Sequence, residues 1–235
     1  MALISDFLRA VGQMTDRRFL WILIKAVGLT LGLLIAVSTA GAWAVGLLPD
    51  PLFSLPWIGD ISLPLSLLQG AALGGFLIAS MFLMFPVAAI FIGLFLDQVA
   101  DAVEARYYPD VGETRTPGIV EGLLDGLGFA GVVIIANLLA LIVYLLLPPF
   151  APFIFYALNG YLMGREFFQM IAGRHRGRAE AVTLRKRYWV RVWLAGMLVA
   201  VPLSIPVLNL LAPVLGVASM THLYHRLSRK PANLA

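Results

Sequence analysis

Apolar positions gather into four long blocks, Phe19–Leu48, Leu63–Leu96, Leu127–Met163 and Tyr188–Tyr224. Each exceeds the ~20 residues that cross a bilayer core as a helix. Ahead of them, Leu3, Ile4, Phe7, Leu8 and Val11 recur at helical spacing, with Asp6, Arg9 and Gln13 between them. That is the pattern of a short amphipathic helix lying in a membrane surface. The expected order within one membrane domain is an amphipathic segment over 1–18, a transmembrane helix over 19–48 and a second over 63–96, extended in the cytoplasm to about residue 108. A block over 127–163, a basic cytoplasmic loop over 164–187, a last block over 188–224 and a tail over 225–235 complete the chain.

Two of the blocks are too long and too broken to be single helices. Leu127–Met163 is 37 residues, which as one helix would reach ~55 Å against ~30 Å of hydrocarbon. Its middle reads Leu147-Pro148-Pro149-Phe150-Ala151-Pro152, through which no helix runs. Tyr188–Tyr224 is broken in the same way at Pro202-Leu203-Ser204-Ile205-Pro206. Pro86 predicts a kink in the second block. Gly28/Gly32 and Gly70/Gly74 are small-xxx-small pairs that favour close helix contacts, within one subunit or between copies.

Charge then selects the topology. Of the 17 Lys and Arg residues, eight fall between Arg165 and Arg191, and none falls in the connection Pro49–Ser62. Basic loops resist translocation, so the Arg165–Arg191 segment belongs inside the cell and Pro49–Ser62 outside. Four single crossings would put the most basic segment outside. Two helical hairpins that enter from the cytoplasmic side and turn back remove the conflict. The expected fold is therefore an all-α integral membrane protein with two long transmembrane helices, two partly penetrating (re-entrant) hairpins and an N-terminal amphipathic helix, both termini cytoplasmic. Re-entrant backbone is tolerated where it is buried in protein or lines a water-filled path, which points to a channel or transporter and to several copies packed together.

Composition agrees. The chain is 60% hydrophobic and 13% charged, against about 25% charged in ordinary soluble domains. Its mean hydropathy is +0.90. The net charge of +4 lies at the flanks of apolar blocks and does not suggest nucleic acid. With no cysteine there is no disulfide frame and no thiolate metal site. Ala42-Trp43-Ala44 resembles a signal-peptidase site, but the apolar run ahead of it is longer than a signal peptide's core, so a retained span is expected.

Candidate chemistry is sparse. Asp97, Asp101 and Glu104 share a helix face, ended by Tyr107-Tyr108-Pro109, and read as a solvated face rather than a cation site. His175, His222 and His225 read as too few and too scattered for a metal site, without an acidic partner. Asn137 and Asn209 are expected to bond across helices or line a water path. Arg165 and Glu166 suggest a structural pair. No catalytic constellation, GxxxxGK[ST] phosphate loop or cofactor motif is found, so neither an enzyme nor a nucleotide-driven pump is expected.

Three stretches carry a family resemblance. Thr15-Asp16-Arg17-Arg18-Phe19 leads into a long apolar helix. Pro86-Val87-Ala88 precedes a helix ending in Asp97 to Arg106. Pro202 to Met220 contains Pro206-Val207-Leu208-Asn209-Leu210-Leu211-Ala212-Pro213-Val214. Together, from about Leu3 to Arg226, the chain resembles the bacterial CysZ sulfate permeases, a superfamily shared with etoposide-induced membrane proteins. The resemblance implies an oligomeric inner-membrane protein with two long helices and two partly penetrating hairpins. It further implies sulfate entry for cysteine synthesis, without ATP, and an anion site at the start of the first long helix, formed by Thr15, Arg17 and Arg18. A helix N-terminus with two guanidinium groups suits a dianion on physical grounds as well. Thr15 stands where the family commonly has glycine, and Asp16 where it tends to be apolar. Asp16 is expected to pair with Arg17 or Arg18 and to repel an anion. The rival expectation is a non-transporting membrane scaffold, or an accessory subunit, binding anionic lipid through its basic segment.

Overall fold

The structure, a computed structural model, describes the chain except for residues 1, 48–51, 56–58, 63–66, 68–69, 77, 80–83, 85–86, 88–90, 92–93, 113, 116–118 and 229–235. The kink expected at Pro86 lies outside the described residues. The chain divides into two compact units, Leu23–Leu94 on one side and Met1–Ile22 with Phe95–Ala235 on the other.

The first unit holds most of helix α2 (Arg17–Gly46). Its polar Thr30 and Ser38 are buried and donate to their own helix, to the carbonyls of Ala26 and Leu34 at 2.7 Å each. No hydroxyl is left unpaired in the apolar run. Gly41 sits against the Phe76 ring so closely that a Cβ would overlap it. At Gly28, Gly32, Gly70 and Gly74 a Cβ would meet nothing within 4 Å. The packing expected there within one chain is not present among the described residues. Between the long helices, Leu52–Leu55 (β1) and Gly59–Ser62 (β2) pair antiparallel, Leu52 opposite Ser62 and Leu55 opposite Gly59. A loop was expected in this connection and a small hairpin stands there; the fold is otherwise helical, as expected.

The second unit is a helical bundle built around α8 (Ala212–Ser228), whose residues from Val214 to His225 are all buried. Four elements pack on α8: α1 (Ala2–Gln13), α3 (Leu96–Tyr107), α5 (Ala151–Arg176) and α7 (Trp189–Ala200). Helix α4 (Ile119–Leu146) lies on α5. The breaks fall where the prolines predict. Leu147 leaves helical geometry, Pro148–Phe150 makes one tight 3-10 turn, and α5 starts at Ala151. In the last block, Val201–Ser204 forms a 3-10 turn and Ile205 is extended before a single turn at Pro206–Asn209.

Glycines set the α5–α7 contact. A Cβ on Gly160 would lie 2.8 Å from the Met197 nitrogen, and one on Gly164 2.5 Å from the Val192 carbonyl oxygen. The two breaks also meet, since the Tyr156 hydroxyl and the Ser204 hydroxyl share a hydrogen bond of 2.7 Å. Trp193 donates from Nε1 to the Ala157 carbonyl at 2.9 Å. The basic segment 164–187 is helical rather than a loop. Helix α5 runs on to Arg176, Gly177 turns the chain at φ +78°, a conformation glycine adopts without strain, and α6 (Arg178–Arg187) follows.

Candidate functional site

Two polar groupings stand out in the bundle. The first is the turn between α1 and α2, which holds the residues expected to bind an anion. Asp16 is the N-cap of α2, its Oδ1 accepting from the Arg18 backbone N–H at 3.2 Å. Its Oδ2 takes the Arg106 guanidinium of α3 at 3.0 Å. The acid expected to neutralise the Arg17 or Arg18 side chain is therefore engaged by a backbone N–H and by another arginine. These contacts, the Arg18 N–H first, hold the Asp16 carboxyl below the usual carboxylate range. Arg17 and Arg18 are exposed at the positive end of a 30-residue helix. Among the described residues neither forms an ion pair. Thr15 does not cap α2, because its hydroxyl turns back to the Gly12 carbonyl at 3.4 Å. Beneath the turn, Gln13 is fully buried, with no hydrogen-bond partner at either amide atom among the described residues.

The second grouping went unrecognised in the sequence. Glu104 of α3, His175 of α5 and His225 of α8 converge in the interior. Glu104 Oε1 lies 2.8 Å from His175 Nε2 and 3.0 Å from His225 Nε2. Both imidazoles are fixed by stacking, His225 on Tyr108 at 4.1 Å between centroids and His175 on Tyr224 at 4.8 Å. Burial pushes the Glu104 carboxyl up, but the hydrogen bonds from His175 and His225 outweigh it and bring the pKa down to about 2. His222 faces away from this trio, its Nδ1 hydrogen-bonded to the Tyr108 hydroxyl at 2.9 Å.

The acidic face of α3 is thus not simply solvated. Glu104 is buried, and Asp97 and Asp101 both pair with the buried Arg174. Arg174 also donates to the Asp97 carbonyl at 2.9 Å and to Thr114 Oγ1 at 3.2 Å, clamping α3 to α5. Of the histidines expected to lack an acidic partner, His175 and His225 have one in Glu104, whereas His222 does not. Only the register of α3 hints at this in sequence, because Glu104 follows the apolar Val99, Ala100, Ala102 and Val103, all buried.

Other expected polar residues have modest roles. Asn137 donates to Val133 of its own helix at 2.8 Å rather than across helices, and Asn209 is exposed. The Arg165 guanidinium lies over the Phe129 ring of α4, 5.7 Å from its centroid.

Two helices, Arg17–Ala44 and Leu127–Leu146, are long and apolar enough to cross a membrane, and a basic pair stands at the start of the first. The family model described as sulfate transporter CysZ/etoposide-induced protein 2.4 matches residues 6–213, well over half of the chain. The chain belongs to that family, and is a membrane protein of it. A comparison with curated proteins finds no match.

Proposed function

We propose that this protein carries sulfate or a related oxyanion into the cell, as a channel or an ion-coupled carrier, supplying sulfur for cysteine synthesis. The observation that carries the reading is the state of Arg17 and Arg18. Two exposed guanidinium groups stand at the N-terminus of a long apolar helix, and the one acid beside them is held by Arg106. The helix dipole and forked arginine donors together compensate a dianion that sheds water there. Membership of the sulfate transporter CysZ/etoposide-induced protein 2.4 family supports the substrate class.

The membrane arrangement belongs to the same proposal: a bacterial inner-membrane protein with both termini and the basic helices α5–α6 on the cytoplasmic side. Helix α7 is 12 residues, ~18 Å long by the helical rise, too short to cross ~30 Å of hydrocarbon. That length and the paired proline breaks support hairpins that dip in and return. Helix α1 supports a surface position. Its buried residues are Asp6, Ala10 and Gln13, while Ile4, Leu8 and Val11 are exposed. Helix α4 leaves its apolar residues from Leu127 to Leu146 almost wholly uncovered by the chain, a face that suits either lipid or a second copy in a homo-oligomer.

Flux of labelled sulfate into vesicles holding the purified protein tests the reading. Arg17→Ala with Arg18→Ala removes two charge-assisted contacts of about 1.5–3 kcal/mol each, so flux should fall at least ten-fold with the protein still folded. Undiminished flux in the double variant would refute the site. A scaffold that binds anionic lipid through α1 and the Arg185-Lys186-Arg187 end of α6 is the competing reading, and it requires no sulfate flux from the wild-type protein.

A further inference from the structure

We propose that Glu104, His175 and His225 form a binding site for a divalent transition-metal ion, zinc being the best fit. Each residue offers one ligand atom, and the three atoms lie within 4.8 Å of one another. Zinc binds imidazole nitrogen and carboxylate oxygen at about 2.0–2.2 Å, which sets tetrahedral ligands roughly 3.3 Å apart. The carboxylate oxygen, 2.8 and 3.0 Å from the two nitrogens, draws back slightly, and the two nitrogens, no more than 4.8 Å apart, adjust around the ion.

The surroundings suit a metal better than a loose cluster of polar groups. Glu104 and His225 are buried, 7% and 5% exposed, and the His175 side chain is 11% exposed. They come from three different helices, α3, α5 and α8. The helices are held together independently of any ion by Arg174 on Asp97 and Asp101, and the rings are stacked by Tyr108 and Tyr224. A site whose backbone is already fixed loses little entropy on binding. An opening exists as well. A cleft of about 300 Å³, lined by Asp101, Glu104, Tyr108 and Thr114 among others, opens beside Glu104.

Donor chemistry selects the ion. Two imidazoles and one carboxylate suit zinc and its first-row neighbours, whereas magnesium and calcium prefer oxygen donors throughout. A site with three protein ligands leaves a fourth position for water. His222 is not part of the set, because the Tyr108 hydroxyl occupies its Nδ1.

The test uses full-length protein in lipid nanodiscs, stripped by chelator and then titrated with zinc chloride. Bound zinc is measured after desalting, and cobalt(II) serves as a spectroscopic probe of tetrahedral ligation. About one zinc per chain is expected, with excess magnesium not competing. Glu104→Gln keeps the shape and a hydrogen-bond acceptor for both histidines, and it should weaken zinc at least ten-fold; His175→Gln and His225→Gln should do the same. Glu180→Gln, at an exposed carboxylate on α6, should change nothing. Wild-type protein that holds no stoichiometric zinc, or equal retention by all three triad variants, overturns the site. Should a histidine variant fail to fold, Glu104→Gln decides alone. None of these readouts depends on whether the chain moves sulfate.

Discussion

Gly196 on α7 faces Gly160 and Gly164 on α5, and the helices touch there through backbone. A Cβ placed on Gly196 would overlap the Gly160 carbonyl oxygen, and would lie 2.8 Å from the Gly164 nitrogen and 2.9 Å from the Gly160 carbonyl carbon. Ordinary contacts of this kind sit near 3.5–4.0 Å. Gly196→Ala therefore forces the helices apart by something on the order of an ångström, and no side-chain rotation can absorb it. Overpacking costs typically 1–3 kcal/mol, and a clash with backbone belongs at the upper end, about 3 kcal/mol. The separation also stretches the Trp193–Ala157 hydrogen bond of 2.9 Å across the same interface. For a chain of this size each kcal/mol moves the melting temperature by about 2–4 °C, so a fall of about 6–12 °C is expected. Thermal unfolding in mild detergent, followed by fluorescence of Trp189 and Trp193, measures it. Gly28→Ala is the control, since a Cβ there meets nothing within 4 Å and alanine improves helix propensity by about 1 kcal/mol. Gly196→Ala melting within about 2 °C of the wild type, or below which Gly28→Ala falls, would refute the close-packing argument.

Other substitutions probe the remaining contacts. Arg174→Gln removes the clamp between α3 and α5 but leaves two acids, Asp97 and Asp101, that are more than half exposed and rehydrate easily; the loss should be about 2 kcal/mol in a denaturation midpoint, below the value for a fully buried pair. Gln13→Met replaces a buried amide that has no partner among the described residues with an apolar chain of similar length, and should raise the melting midpoint by the equivalent of about 1 kcal/mol. Asp16→Asn keeps the cap on α2 and removes the charge beside Arg17 and Arg18, so sulfate flux at neutral pH should rise, by no more than about five-fold for an exposed charge. The Asp16 carboxyl is held below its usual value, so its contribution to stability is complete above the unfolded carboxylate pKa and is lost as pH falls through the lower folded value. The difference in stability between wild type and Asp16→Asn should accordingly shrink only in that acidic window, and a difference that persists below it would contradict the assignment.

The family and the two proline breaks were legible in sequence because each rests on local signals. Runs of apolar residues, paired prolines at 148–149 and at 202 and 206, and the basic pair at 17–18 all act within a few residues of themselves. The breaks fall where they were expected for that reason. What was missed depends on distant partners. Glu104 finds His175 and His225 across 71 and 121 residues. No periodicity within α3 distinguishes a buried carboxylate from the exposed Asp97 and Asp101 on the same face. The Gly160-Gly164-Gly196 contact was likewise hidden, because small-xxx-small spacing marks a capacity for close approach without naming the partner. Gly28 and Gly32 carry the same spacing and touch nothing described in their own chain. The β1–β2 hairpin went unforeseen because four-residue strands are too short for alternation to register.

Which side of each helix faces out gives the clearest physical link between this fold and its solvent. In water a surface helix turns its apolar stripe inward, and polar residues cover it. Here α4 presents Ile134, Ile135, Leu138, Leu139, Leu141 and Ile142 outward, each more than half exposed, while α8 holds Ser219, Thr221, His222 and His225 in the centre of the bundle. Helix α1 repeats the inversion, with Asp6 turned inward to the Arg226 guanidinium of α8 at 2.6 Å and Leu8 outward. An aqueous surround would oppose such an arrangement by about 25 cal/mol for each Å² of apolar surface left wet. Hydrocarbon removes that opposition and makes interior polar pairs the favourable choice, since no water outside competes for them. The glycine contacts between α5 and α7 hold short apolar helices together through close van der Waals packing, while Arg174 with its two exposed aspartates and Glu104 with its two histidines tie α3 to α5 and α8.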